Sequence, residues 1–262
     1  MFRVIAVDWS GARAGARKAI WLAEVDASGV RRLECGRDRS ELAGELIATA
    51  GRDAELVVGL DFAFSTPEWY LRERGFDSVR ELWRAMDREG EQLLRDPRPP
   101  FWKTSFADSG LTKEQEFRRT DREIVITGSS RAQSVFKLVG AGHVGTGSIR
   151  GMAELHRLAR HGFHVWPFDP PSLPLVIEIY PRALTGPVVK SDAGQRRAYL
   201  NAQGGIGDEH ADVAAADDNA FDALASALQM WKHRDALLNL RPEPDYTLEG
   251  RIWAPAAVQL PG

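Results

Sequence analysis

Several apolar runs in this chain are too short to be typical helices, and they limit the possible folds more than any other feature of the sequence. The segments Met1–Asp8, Glu55–Phe64 and Leu175–Tyr180 are rich in aliphatic residues. Runs of this length bounded by turn-forming residues predict buried strands. Helical periodicity appears between and after them, and is longest over Asp217–Leu240, where apolar residues recur on one face. Strands followed by helices mixed with further strands predict an α/β protein with a mixed sheet.

The amino-acid composition indicates which classes of protein this chain can belong to. The chain has 262 residues, 44% of them hydrophobic and 27% charged, which is typical of a globular protein. Its formal net charge of −3 means that binding to nucleic acid would have to rest on local basic patches. The single cysteine, Cys35, excludes a disulfide framework and predicts a cytoplasmic location. We expect no signal peptide and no membrane span, because no apolar run approaches about 18 residues.

The character of the chain changes after Pro67. Charged helical stretches there surround a proline-rich break at Asp96–Pro100. The apolar content of this region is too thin for an independent core. We therefore predict a single domain over residues 1–262, with a mainly helical insertion at about residues 68–160.

Acidic residues fall where apolar elements end. Asp8 closes the first run, Asp61 and Glu178 lie inside two others, and Asp218 and Asp222 are four apart on one helix face. An ionised carboxylate in apolar surroundings is costly unless a positive charge neutralises it, and no Lys or Arg adjoins these positions. One acid at a strand end is most often a cap or an ion-pair partner. Acids on four separate apolar elements favour a shared Mg²⁺ or Mn²⁺ site.

The motifs around these acids are VIAVDWSG, VVGLDFAFS, VIEIYPR and DDNAFDALASAL. In this order they resemble the ribonuclease H-like superfamily and, within it, the DUF429 family of predicted nucleases. The resemblance extends over essentially the whole chain. It implies a five-stranded mixed sheet whose first three strands are antiparallel, helices on both faces, and carboxylates that meet over the sheet.

The resemblance also implies roles for individual residues. Asp8 would bridge the metals, Asp61 would match the second strand acid, and Asp222 the helix acid of resolvase-type members. Glu178 belongs to the DUF429 pattern. Resolvase-type helices often place another acid where this chain has Asn219, so the resemblance is compatible with either one or two metal ions. The implied activity is hydrolysis of a nucleic-acid phosphodiester assisted by Mg²⁺ or Mn²⁺, with an activated water and no covalent intermediate.

A phosphate backbone would need basic groups to neutralise its charge and could also accept hydrogen bonds from hydroxyl groups. The serine that follows the first strand, Ser10, is one candidate for contact with substrate. The basic candidates are Lys103, Arg118, Arg119, Arg131, Lys137 and Arg182. The run FRRTDRE, which carries two of them, is also typical of a solvated helix face.

Other functions stay open from the sequence. Gly140–Gly145 spells G-x-G-x-x-G after an apolar run at Ser134–Val139, which is typical of dinucleotide binding, although Lys137 suits a buried strand poorly. The turn after Asp8 also resembles a phosphate loop of actin-like ATPases, but 262 residues are too few for their two-lobed fold. A scaffold of the same fold that binds nucleic acid or protein without catalysis is the third alternative.

Overall fold

A computed structural model of the chain describes residues 1–126, 132–140 and 143–255. Within these residues, the strands form one mixed sheet in the order β3-β2-β1-β4-β6-β5. The first three strands run antiparallel, and β4, β6 and β5 continue the sheet in parallel from β1. The strand bounds are β1 Arg3–Asp8, β2 Trp21–Asp26, β3 Gly29–Glu34, β4 Leu56–Leu60, β5 His164–Val165 and β6 Leu175–Glu178.

The α/β class is confirmed, but the expected number of five strands is wrong. The six strands of the described residues include the short edge strand β5. It joins the sheet because His164 N donates to Pro174 O at 2.9 Å and Trp166 N donates to Val176 O at 3.0 Å.

Helices occupy most of the connections between strands. Their bounds are α1 Ala16–Ala19, α2 Arg39–Arg52, α3 Glu68–Glu73, α4 Val79–Arg95, α5 Arg119–Glu123, α6 Gly145–Arg160, α7 Pro181–Thr185, α8 Ala193–Gln203, α9 Asp208–Ala216, α10 Asp218–Lys232 and α11 Arg234–Leu238. The long helix predicted over Asp217–Leu240 is thus divided into α10 and α11. The carboxylate of Asp217 caps α10 by accepting hydrogen bonds from the backbone amides of Asn219 and Ala220.

Strand alternation gives the sheet two buried faces. On β1, Ile5 and Val7 pack into a cluster formed with α2, α4 and α6. Val4 and Ala6 point to the opposite face and pack with α10. Successive side chains of a strand point to opposite faces. The position of each acid along its strand therefore determines which face of the sheet its side chain points to.

The stretch predicted as an insertion contributes a whole layer of the fold. It contains α3 to α6. The cluster on the Ile5 and Val7 face of the sheet includes Leu82 and Trp83 of α4 and Met152 and Leu155 of α6. The run predicted as a strand at Ser134–Val139 is not one, because only Lys137 makes a bridge, to Trp102. None of the helices in the part of the chain that the structure describes is long and apolar enough to cross a membrane.

Candidate active site

Two neighbouring parallel strands place Asp8 and Asp61 side by side. Val7 of β1 is in register with Leu60 of β4. The Asp61 backbone N donates to Val7 O at 3.1 Å, which extends this pairing by one residue. Asp8 shares its face with Val4 and Ala6, the face that α10 covers.

Helix α10 brings Asp222 over the same strand ends. It packs across β1 and β2, and its Phe221 and Leu224 are fully buried against the second face. A glycine on β4 permits close contact, because a Cβ atom on Gly59 would lie 2.7 Å from Met230 Sδ of α10. Asp61 follows Gly59 by two residues and therefore points to the same face.

The electrostatics indicate that Asp8, Asp61 and Asp222 share one environment. Burial, and then the negative charges of Asp222 and Asp61, raise the pKa of Asp8 well above its ordinary value. Burial and the charge of Asp222 raise the pKa of Asp61 to about 8. Burial also raises the pKa of Asp222, although the nearby cation of Lys190 opposes it. Each carboxylate is therefore costly to ionise in the folded protein unless a cation joins it.

Lys190 supplies a cation in direct contact with one of these acids. Its Nζ lies 2.6 Å from Asp222 Oδ2. The other oxygen, Asp222 Oδ1, is buried without a hydrogen-bond partner. The carboxylates of Asp8 and Asp61 receive no hydrogen bond or ion pair from the described residues, and Asp8 is only 9% exposed. The site thus combines the carboxylates of Asp8 and Asp61, a buried Asp222 oxygen without a partner, and the ammonium of Lys190.

Glu178 points to the opposite face of the sheet. On β6, Leu175 and Ile177 belong to the α10 side, whereas Val176 faces the first cluster, and Glu178 shares the parity of Val176. Its Oε1 accepts from Arg118 Nη2 at 2.6 Å and its Oε2 accepts from Arg118 Nη1 at 2.8 Å.

Arg118 belongs to a buried ion-pair network. Its Nη2 also donates to Asp121 Oδ1 at 2.8 Å, and the Phe64 backbone N donates to Glu178 Oε2 at 2.9 Å. Burial alone would lower the pKa of Arg118, but Asp121 and Glu178 hold it well above its ordinary value. Arg118 is therefore a permanent counter-ion of Glu178, and its guanidinium is not exposed for phosphate.

A small cavity lies between this network and the acidic residues. Asp61, Tyr180, Arg118 and Glu178 are among the residues that line it. Its volume of about 30 Å³ is sufficient for one water molecule. Burial, followed by the charge of Asp61, raises the pKa of Tyr180 to about 12, so its phenol stays neutral beside that carboxylate.

Two other predicted site residues lie close to the acids. Asp218 is exposed in the first turn of α10, and its charge raises the pKa of Asp8 and of Asp222. Arg182 of α7 is half-buried, donates to Val188 O at 2.9 Å and lowers the pKa of Asp222. Arg182 is thus a basic candidate whose charge acts on the site.

The remaining predicted substrate contacts have local partners. Ser10 Oγ accepts from the Ala12 backbone N at 3.2 Å. Arg119 is exposed and pairs with Glu123 at 2.7 Å on α5. Lys137 lies 5.8 Å from the centroid of the Trp102 ring. The candidate Arg131 lies outside the described residues.

The loop that follows Asp8 is held from two sides. Arg39 Nη1 donates to Ser10 O at 2.8 Å, and Arg150 of α6 donates to Gly11 O. Gly11 itself lies against the start of α6, because a Cβ atom there would be 2.4 Å from Gly147 N. These contacts, which the sequence did not predict, fix the end of β1 and hence Asp8.

The donor set suits a hard divalent cation. In the residues that the structure describes, no group of three or more His, Cys, Asp or Glu side chains is arranged to hold a metal ion. Mg²⁺ needs fewer protein ligands than that, since it is commonly held by one or two carboxylates together with waters and substrate phosphate. The unpartnered carboxylates of Asp8 and Asp61, on adjacent strand ends, supply such a pair.

In residues 132–139, the described stretch before the glycine-rich motif, there is no strand of the kind that a dinucleotide site requires. The preceding residues form only the bridge at Lys137, and α6 begins at the last glycine of the motif, Gly145. Two of the motif's residues, Ala141 and Gly142, lie outside the described residues.

Comparisons of the chain with known protein families, curated proteins and solved structures found no match. No protein-family model matches this chain, and neither a curated protein nor a solved structure does.

Proposed function

We propose that this protein is a divalent-metal-dependent phosphodiesterase, a nuclease of the ribonuclease H-like type. The observation that carries the proposal is the convergence of Asp8 at the end of β1, Asp61 directly after β4 and Asp222 of α10, with Asp222 Oδ1 left without a hydrogen-bond partner. The antiparallel strands β1 to β3, continued by parallel strands beyond β1, agree with the arrangement that the resemblance implies.

The residues divide into metal-holding and phosphate-facing groups. Asp8 and Asp61 would hold Mg²⁺ or Mn²⁺, and Asp222 would complete the acidic side of the site. The bound ion would supply Lewis-acid stabilisation of a phosphoryl oxygen and a more acidic water. Arg182 provides positive charge at the rim for the phosphate backbone. Glu178 has no free oxygen for an ion, and we assign it to holding Arg118 and the end of β6.

Cleavage assays with purified protein test this function. DNA and RNA substrates, both single-stranded and double-stranded, are incubated with Mn²⁺ or Mg²⁺, with and without EDTA. We expect metal-dependent cleavage, and we expect Asp8→Asn to reduce its rate at least about 100-fold, since that change removes one ligand charge. Asp245→Asn, on an exposed carboxylate, is the matched control and should cleave as the unmodified protein does. Equal activity in Asp8→Asn would refute the assignment.

A scaffold without catalysis is the second candidate. The observation that favours it is the Lys190–Asp222 ion pair, because a lysine within an acidic site neutralises part of it without any metal. A scaffold would bind nucleic acid or protein equally well in EDTA and in Mn²⁺, and cleavage would be absent under both conditions.

A further inference from the structure

The position of Lys190 in the acidic site was not predicted from the sequence. Its ammonium is 2.6 Å from Asp222 Oδ2, and its charge also lowers the pKa of Asp8 and of Asp61. One ammonium therefore acts on all three carboxylates, of which Asp8 is buried and Asp61 and Asp222 are half-buried. Its side chain is 20% exposed, so the charge is largely shielded from water.

The backbone around Lys190 is anchored from several sides. Arg196 of α8, itself 6% exposed, donates to Lys190 O and to Ala215 O, where α9 ends. Gln195 Oε1 accepts from the Val189 backbone N at 3.1 Å. These contacts hold the segment against α8 and α9, so the ammonium is placed by the fold and not by a freely moving loop.

Charge balance relates this lysine to the number of metal ions. Three ionised carboxylates and one ammonium leave two negative charges, which a single divalent cation neutralises. The opposite charges of Asp218 and Arg182, which also act on Asp222, cancel in this sum. Without the ammonium, the same carboxylates would carry a charge that one divalent ion leaves incompletely balanced. In a low-dielectric site, an unbalanced carboxylate with a free oxygen is a strong position for another cation.

We propose that the Lys190 ammonium stands in for a second cation beside Asp222, so that the site takes a single divalent ion, held by Asp8 and Asp61. The inference rests on the proposed function and specifies its metal content. The ammonium contacts Asp222 Oδ2, and without it both oxygens of Asp222 would lack a hydrogen-bond partner and be open to a second ion.

Counting bound Mn²⁺ tests the inference without reference to activity. Isothermal titration calorimetry, with free Mn²⁺ followed in parallel by electron paramagnetic resonance, is applied to the unmodified protein and to Lys190→Gln. We expect one ion per chain in the first and two in the second. Lys232→Gln removes an exposed lysine from the other end of α10 and is the matched control, expected to bind one ion.

The outcomes separate the two proposals. One ion in both the unmodified protein and Lys190→Gln, or two ions in both, would overturn the role of Lys190 while leaving a metal site in place. Failure of the unmodified protein to bind Mn²⁺ at all would overturn the proposed function itself. If Lys190→Gln does not fold, as judged by circular dichroism, Lys190→Met retains the apolar stem and is measured in its place.

Discussion

Replacing Asp61 with asparagine should stabilise the metal-free protein. Asn has nearly the same shape as Asp but carries no charge into this buried site. The pKa of Asp61 in the folded protein is about 8, whereas the ordinary pKa of an aspartate side chain is 3.8. Folding must therefore either protonate Asp61 or bury its charge beside Asp222 at every pH above about 4.

The sign and size follow from these two pKa values. A carboxyl whose pKa is raised on folding contributes stability that is fully present below pH 3.8 and is lost as the pH rises towards 8. At about 1.4 kcal/mol per pH unit, the loss at pH 7 is about 4 kcal/mol. Asp61→Asn avoids this loss, so its free energy of unfolding should exceed that of the unmodified protein by about 4 kcal/mol at pH 7 and by about 2 kcal/mol at pH 5.

Urea unfolding in EDTA, followed by circular dichroism between pH 5 and pH 8, measures this difference. Asp53→Asn is the control, and we expect it to change the free energy of unfolding in the opposite direction. The amino-terminal ammonium holds the pKa of Asp53 down at about 2, so its replacement should destabilise the protein. The reasoning is refuted if Asp61→Asn is less stable than the unmodified protein at pH 7 in EDTA, or if the gain does not increase with pH.

Further predictions concern the supports of the site. Arg118→Met should lower the free energy of unfolding by about 3–5 kcal/mol, because it leaves Glu178 buried without its counter-ion. The double variant with Glu178→Gln should recover part of this loss in the same urea assay, and strictly additive effects would contradict the pairing. Gly59→Ala should cost about 1–3 kcal/mol by overpacking, since its Cβ would lie 2.7 Å from Met230 Sδ. It should also weaken Mn²⁺ binding by displacing α10, and unchanged affinity would show that this contact does not position Asp222.

The sequence made Asp8 and Asp61 candidates, because Asp8 closes one short apolar run and Asp61 lies inside another. The parallel pairing of these two runs, which places both acids at one edge of the sheet, is seen only in the structure. Asp222 was a candidate because it lies with Asp218 on one face of a helix whose apolar face is visible in its periodicity.

The direction of Glu178 was not predictable from the pattern around it. Strand β6 is buried on both faces, so its residues are apolar at successive positions and alternation is hidden. The partners of the acids were also missed. Arg118 lies 60 residues from Glu178, and Lys190 lies 32 residues from Asp222. Only packing of the whole chain brings such pairs together, and their local sequence carries no sign of the contact.

The run at Ser134–Val139 illustrates the converse error. Its apolar residues predicted a strand, yet Val135 and Phe136 are buried against the helical layer, and no strand within the described residues forms a ladder with them. Burial alone therefore produced the apolar pattern here, without strand pairing.

The most direct measurement of the central claim is diffraction from a crystal soaked in Mn²⁺, with anomalous scattering used to locate the ion. We expect one peak per chain between the carboxylates of Asp8 and Asp61, with Lys190 still paired to Asp222. An absence of any peak at these strand ends, at Mn²⁺ concentrations that saturate other sites, would contradict it.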